Sequence, residues 1–119
     1  MNDTKKTNNV RIESEETHNL AGMVDYSNGA VISRILYKSD KGNITLFSFD
    51  KDQNLSEHSA PYDAIVQIVE GSARLTIGGK DVMAKTGDLV VMPANIPHAV
   101  YADKRFKMLL TMIRDKKED

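Results

Sequence analysis

Two histidines carry most of the chemistry that this sequence offers. Of the three in the chain, His58 and His98 lie outside a polar N-terminal stretch, whereas His18 sits at its edge and reads as a solvated side chain. Imidazole is a ligand for Zn, Fe, Ni, Mn or Cu. Two imidazoles plus one oxygen donor form a workable catalytic set when water fills the remaining positions. The oxygen donor has three candidates: Glu57 beside His58, Asp63, and Gln67, a polar residue in an otherwise apolar run. The same two histidines also read as a hydrogen-bonded pair lining a pocket without metal. Tyr62 and Tyr101 offer phenols, although tyrosine in a sheet more often packs with its hydroxyl at the surface. Met92, Met108 and Met112 suit the lining of an adaptable apolar pocket, with core filling as the commoner use of methionine. Arg74 and Lys107 interrupt apolar strands, where they either meet an anionic substrate or occupy a solvated outer face. Cysteine is absent, which removes thiolate nucleophiles, sulfur ligands and disulfides from the chemistry within the chain.

The elements that must position these residues are strands. Short segments rich in Val, Ile, Leu, Tyr and Phe alternate with Gly, Asn, Asp and Pro, the pattern of an all-β domain. The reading places strands at 30–37, 43–50, 64–70, 73–77, 80–84, 88–92, 98–102 and 105–114. Gly78-Gly79 marks a two-residue hairpin, because such a turn requires positive φ and glycine adopts it without steric cost. In the last strand Phe106, Met108, Leu110 and Met112 share one face, and Lys107, Leu109, Thr111 and Ile113 the other. The first face is wholly apolar. The second is mixed, which suggests partial cover by another sheet or another subunit.

The bulk numbers set the frame. At 119 residues, 40% hydrophobic and 28% charged, the chain suits one globular domain with one core. A net charge of -1 without basic blocks points away from nucleic acid. Apolar runs such as Leu89–Met92 are far too short for a membrane span. The polar N-terminal residues lack a secretory segment, so the expected location is cytoplasmic. Residues 1–17 read as a flexible polar arm, 18–114 as the β domain and 115–119 as a charged tail. An apolar strand near Val31 to Leu36 behind such an arm suggests a homodimer with sheets or arms paired across subunits.

Two stretches resemble the conserved motifs of the cupin superfamily, in the manner of its small single-domain bacterial members. One family motif runs Gly, five residues, Pro, one, Gly, two, His, three, Asn. Here Gly87, Pro93 and His98 fall in register, Asn95 replaces the glycine and Ala102 the asparagine. Asparagine tolerates the left-handed conformation, so the turn is expected to persist. The other motif runs His, one, His, three or four, Glu, six, Gly. Anchoring it on Gly71 places His58 at the first histidine, Ala60 at the second and Ala64 at the glutamate.

The resemblance implies an all-β, double-stranded jelly-roll β-barrel of the cupin type, with a site in its lumen facing His58 and His98. Two of the three metal ligands of the first motif are replaced. Such a barrel is expected to bind a divalent metal, a small organic ligand, or both. It would be a metal-dependent enzyme of dioxygenase or isomerase type, or alternatively a metal-free binding or sensor domain. By strict alternation Ala64 faces the same way as His58, which turns Asp63 and Gln67 outward unless the Pro61 loop shifts the register.

Overall fold

A computed structural model describes residues 12–114 of the chain. Within them eight strands succeed one short 3-10 turn at Leu20–Met23: β1 (Val31–Ser39), β2 (Gly42–Phe49), β3 (Asn54–His58), β4 (Tyr62–Ile77), β5 (Lys80–Lys85), β6 (Leu89–Met92), β7 (His98–Tyr101) and β8 (Phe106–Arg114). The ladders between them are antiparallel. The expected all-β architecture is what the structure has. No helix among the described residues is long and apolar enough to cross a membrane.

β4 organises the molecule. Its first half pairs with β8 and β6, and its second half with β5 and β7. One layer is therefore β1-β2-β8-β4-β6, and the other β3-β7-β4-β5. The strand changes layers at a bulge between Ile68 and Glu70, followed by Gly71 at φ +84°. A Cβ at Gly71 would stand 2.6 Å from the Arg105 carbonyl oxygen, so both the conformation and the close approach require glycine here. The sequence reading divides this strand into 64–70 and 73–77. In the structure the polar residues around Gly71 mark a bend within one strand. The reading also omits β3, whose segment Asn54–His58 contains a single apolar residue, Leu55.

The two layers enclose a core of Phe49, Val66, Ile68, Leu75, Val100, Phe106 and Met108 among others. Phe49 and Phe106 stack with centroids 4.5 Å apart and planes at 10°. These residues recur at every second position of their strands, as a half-buried sheet requires.

A second apolar cluster lies on the outside of the first layer. Val24, Leu36 and Leu46 are buried there, with Ile12, Leu20, Met23 and Leu109 packed around them. The mixed outer face of β8 is thus partly covered by residues 12–24 of its own chain. Ile12 N–H donates to the Leu36 carbonyl at 2.8 Å. Lys107, for which the sequence favours a solvated outer face, is 7% exposed. Its Nζ donates to the Ala21 carbonyl at 2.6 Å and lies 4.9 Å from the Tyr26 ring centroid. Tyr26 in turn donates to Glu70 at 2.7 Å. The rest of the expected arm, residues 1–11, and the tail, 115–119, lie outside the described residues.

Candidate functional site

β3 ends on His58 and β7 begins on His98, and the two are partners in the β3–β7 ladder after a bulge between Leu55 and His58. Cross-strand pairing brings the rings together. Their centroids are 4.7 Å apart, edge to face at 67°. Each ring is also held from behind: His58 Nδ1 lies 3.0 Å from the Ser56 carbonyl oxygen and His98 Nδ1 3.2 Å from that of Ile96. A carbonyl oxygen only accepts, so Nδ1 carries the proton in both rings, and neutral imidazole then presents a bare Nε2.

The loop that delivers His98 is itself tied down. Asn95, standing where the family has glycine, takes φ +66°, the left-handed conformation that the sequence predicts. Its N–H donates to the Ala60 carbonyl at 2.8 Å, and Gly78 N–H donates to that of Pro97 at 2.8 Å. Asp63 Oδ1 accepts from Ala94 N–H at 2.9 Å.

Both imidazoles line a cavity of about 280 Å³ whose other walls are Phe47, Leu55, Ala64, Met92, Ala99, Val100, Met108, Leu110 and Met112. Ala64, at the position of the family glutamate, lies in this wall. The three candidate oxygen donors do not accompany it: Glu57, Asp63 and Gln67 are exposed, and Asp63 clamps the loop. The described residues contain no group of three His, Cys, Asp or Glu side chains placed to hold a metal ion. A metal would find two imidazole nitrogens and no carboxylate, which is not the ligand set of the motif.

Of the residues expected in the pocket, the structure brings Met92, Met108 and Met112 to the cavity. Tyr62 and Tyr101 stand elsewhere. Tyr101 donates to Asp52 at 3.0 Å and carries the Arg74 guanidinium 4.6 Å from its ring centroid. Arg74 is bound at two points by Asp103, at 3.0 and 2.9 Å, so it is engaged within the protein on the outer side of β4. Tyr62 accepts from Arg114 Nη2 at 2.9 Å at the rim of the barrel.

Burial depresses the basicity of His98 below that of free imidazole, and the neighbouring His58 adds to the effect, while the Ile96 carbonyl opposes it. The residue as a whole is 6% exposed. It therefore favours the neutral state, in which Nε2 is available as an acceptor or ligand.

The cupin domain profile matches residues 45–113, more than half of the chain. The chain belongs to the cupin family. This cupin has the jelly-roll barrel of that family. It superposes on a conserved protein of unknown function from Streptococcus pyogenes with a TM-score of 0.85 and 35% identity, over 95% of this chain and 100% of that one. A cupin 2 conserved barrel domain protein from Leptotrichia buccalis is 39% identical with a TM-score of 0.79, over 81% of this chain and 47% of that one. A cupin superfamily protein from Desulfitobacterium hafniense gives a TM-score of 0.83 at 28% identity, over 92% and 100%. Among proteins of curated function none matches the chain.

Sequence reasoning misses Phe47, Leu55 and Leu110 of this cupin as pocket residues. Leu110 is on the apolar face of β8 and Phe47 alternates with Phe49 on β2, so their faces are legible in the sequence. Leu55 is not, because its strand carries no alternation to recognise.

Proposed function

We propose that this cupin binds a small, largely apolar organic molecule in its lumen, docked through a polar group on His58 and His98. The observation that carries this reading is the contrast within the cavity wall. Two imidazoles, each fixed by a backbone carbonyl, interrupt a surface otherwise made of aliphatic, thioether and aromatic groups. Ligand sites have this composition, an apolar enclosure with a few fixed polar groups that set orientation, and volumes of about 300–1,000 Å³ place this cavity at the small end. The methionines suit a ligand of irregular outline. The test is nuclear magnetic resonance of the His58 and His98 side chains during titration with a library of small alcohols, acids and amides. Saturable shifts of both rings support the reading, and a library that moves neither ring overturns it.

A second reading has one observation in its favour. Imidazoles that donate Nδ1–H to a carbonyl and leave Nε2 bare have the outer-shell arrangement of metal-bound histidine. A divalent metal such as Zn, Fe, Ni or Mn would then rest on His58 and His98 with its other positions filled by water or ligand, and isomerase- or oxygenase-type chemistry would become accessible. Elemental analysis of protein purified without a metal-affinity tag separates the two readings. Stoichiometric metal that disappears in His58→Ala favours the second.

A further inference from the structure

The apolar wall of the lumen does not stay apolar to its end. Along β8 the lumen-facing positions run Phe106, Met108, Leu110, Met112 and then Arg114. Tyr62 pairs with Arg114 on β4, one step beyond the Ala64–Met112 pair. That step is two residues, about 7 Å along the strand. Register extends the same face sideways: Lys38 pairs with Asn43, and Asn43 with Met112. Lys38, Asn43, Met112, Ala64 and Met92 thus form a single row across the layer, on its inner side. Lys38 lies two strands from Met112, about 10 Å.

The Lys38–Met112 end of this row lines a second cavity of about 220 Å³, bounded by Lys38, Ser39, Gly42, Asn43, Tyr62, Met112 and Arg114. Met112 stands in the lining of both cavities, and its thioether side chain changes shape readily. The rim cavity has two cations in its lining and no carboxylate. Arg114 Nη2 donates to the Tyr62 hydroxyl at 2.9 Å, and its guanidinium carbon lies 5.1 Å from that ring. Among the described residues neither Arg114 nor Lys38 forms an ion pair. The phenol occupies one of the five guanidinium N–H donors, and the remainder suit a planar anion.

We infer that the ligand is a small organic carboxylate whose carboxylate lies at the rim between Arg114 and Lys38, while its apolar body runs through the lumen and a distal polar group meets His58 and His98. This inference rests on the lumen reading above and adds the chemical class. A short acid with a distal hydroxyl matches the order of surfaces from depth to rim: imidazoles in an apolar wall, adaptable methionine, then cations with a hydrogen-bonding tyrosine. The two cations also lie where an approaching anion meets them first.

6-Hydroxyhexanoate and hexane-1,6-diol share a body and a distal hydroxyl and differ in head group, so their affinities at neutral pH isolate the rim. Binding to the wild-type protein is read by calorimetry and by the His58 and His98 resonances. The hydroxy acid is expected to bind about tenfold more tightly than the diol, since a charge-assisted contact is retained only by the acid. In the double variant Lys38→Met, Arg114→Met the acid should lose about that tenfold while the diol stays within about twofold, which also shows that the barrel is intact. Equal binding of acid and diol by the wild type overturns the carboxylate assignment and leaves the lumen reading standing. So does a preference that survives in the double variant. If neither probe binds or moves either histidine, the lumen reading fails for these bodies, and the carboxylate assignment falls with it.

Discussion

His58 and His98 are ladder partners with touching rings, yet only His98 is buried. The pair is asymmetric in consequence. His58→Ala removes an exposed ring and should change stability by no more than about 0.5 kcal/mol, the usual range for surface positions. His98→Ala empties a buried site and should cost about 1–3 kcal/mol. Both substitutions should weaken ligand binding in the lumen. Urea unfolding of the two variants, beside the same titration, checks the split, and equal destabilisation by both would contradict it.

The depressed basicity of His98 links stability to pH. In the unfolded chain its imidazole takes up a proton near pH 6.5, whereas in the folded protein burial delays protonation to lower pH. Between those two points the unfolded state holds more protons, so stability increases with pH there. The contribution is complete above about pH 6.5 and is lost as pH falls through the folded value. The midpoint of urea unfolding should decline on acidification through this window, and the decline should shrink in His98→Gln.

Lys107 fastens the segment 12–24 to the outside of the barrel. Its buried ammonium has the Ala21 carbonyl, the Tyr26 ring and, at 4.0 Å, Glu70 as partners. Lys107→Ala should lower stability by about 1–3 kcal/mol, because it leaves the Ala21 carbonyl without its donor. Amide hydrogen exchange should rise across 12–24 before it rises in β4 or β8. Unchanged exchange in that segment would show that its apolar contacts alone hold it.

Two left-handed positions make opposite predictions. Gly71→Ala combines positive φ with a Cβ only 2.6 Å from backbone oxygen and should cost about 2–3 kcal/mol. Asn95→Gly restores the family residue at φ +66° and should leave stability within about 1 kcal/mol of wild type, in either direction. Thermal melts of the two variants settle both values.

Assembly is the remaining expectation. β1 is one of the two edge strands of its layer, and Ile35 on it is 36% exposed, so pairing of two copies along this edge would satisfy backbone groups other than the Leu36 carbonyl that Ile12 takes. Light scattering at micromolar concentration should give twice the chain mass, and Ile35→Lys should reduce it. A wild-type monomer contradicts the expectation.

What the sequence disclosed came from local rules. Gly78-Gly79 needed only the geometry of a tight turn, and both residues have positive φ. The alternation in β8 located the apolar wall, and the spacing from Gly87 through Pro93 to His98 located one imidazole. What it withheld depends on contacts distant along the chain. The cover over Lys107 comes from Ala21, 86 positions away, in an apolar run, Leu20–Val24, too short to show a period. The rim of Lys38, Asn43, Tyr62 and Arg114 exists only once the register of four strands is known.

β4 serves as the spine of both layers, and this has a consequence for how the protein reports on itself. The ladder with β8 supplies one wall of the lumen, while the ladder with β7 seats His98. Neither layer therefore has a private route out of the folded state, since loosening one half of the strand slackens the other. Occupancy of the lumen and global unfolding then share one free-energy scale. A bound ligand should slow amide exchange on both layers together, by the same factor at the most protected positions, even where it touches only one of them.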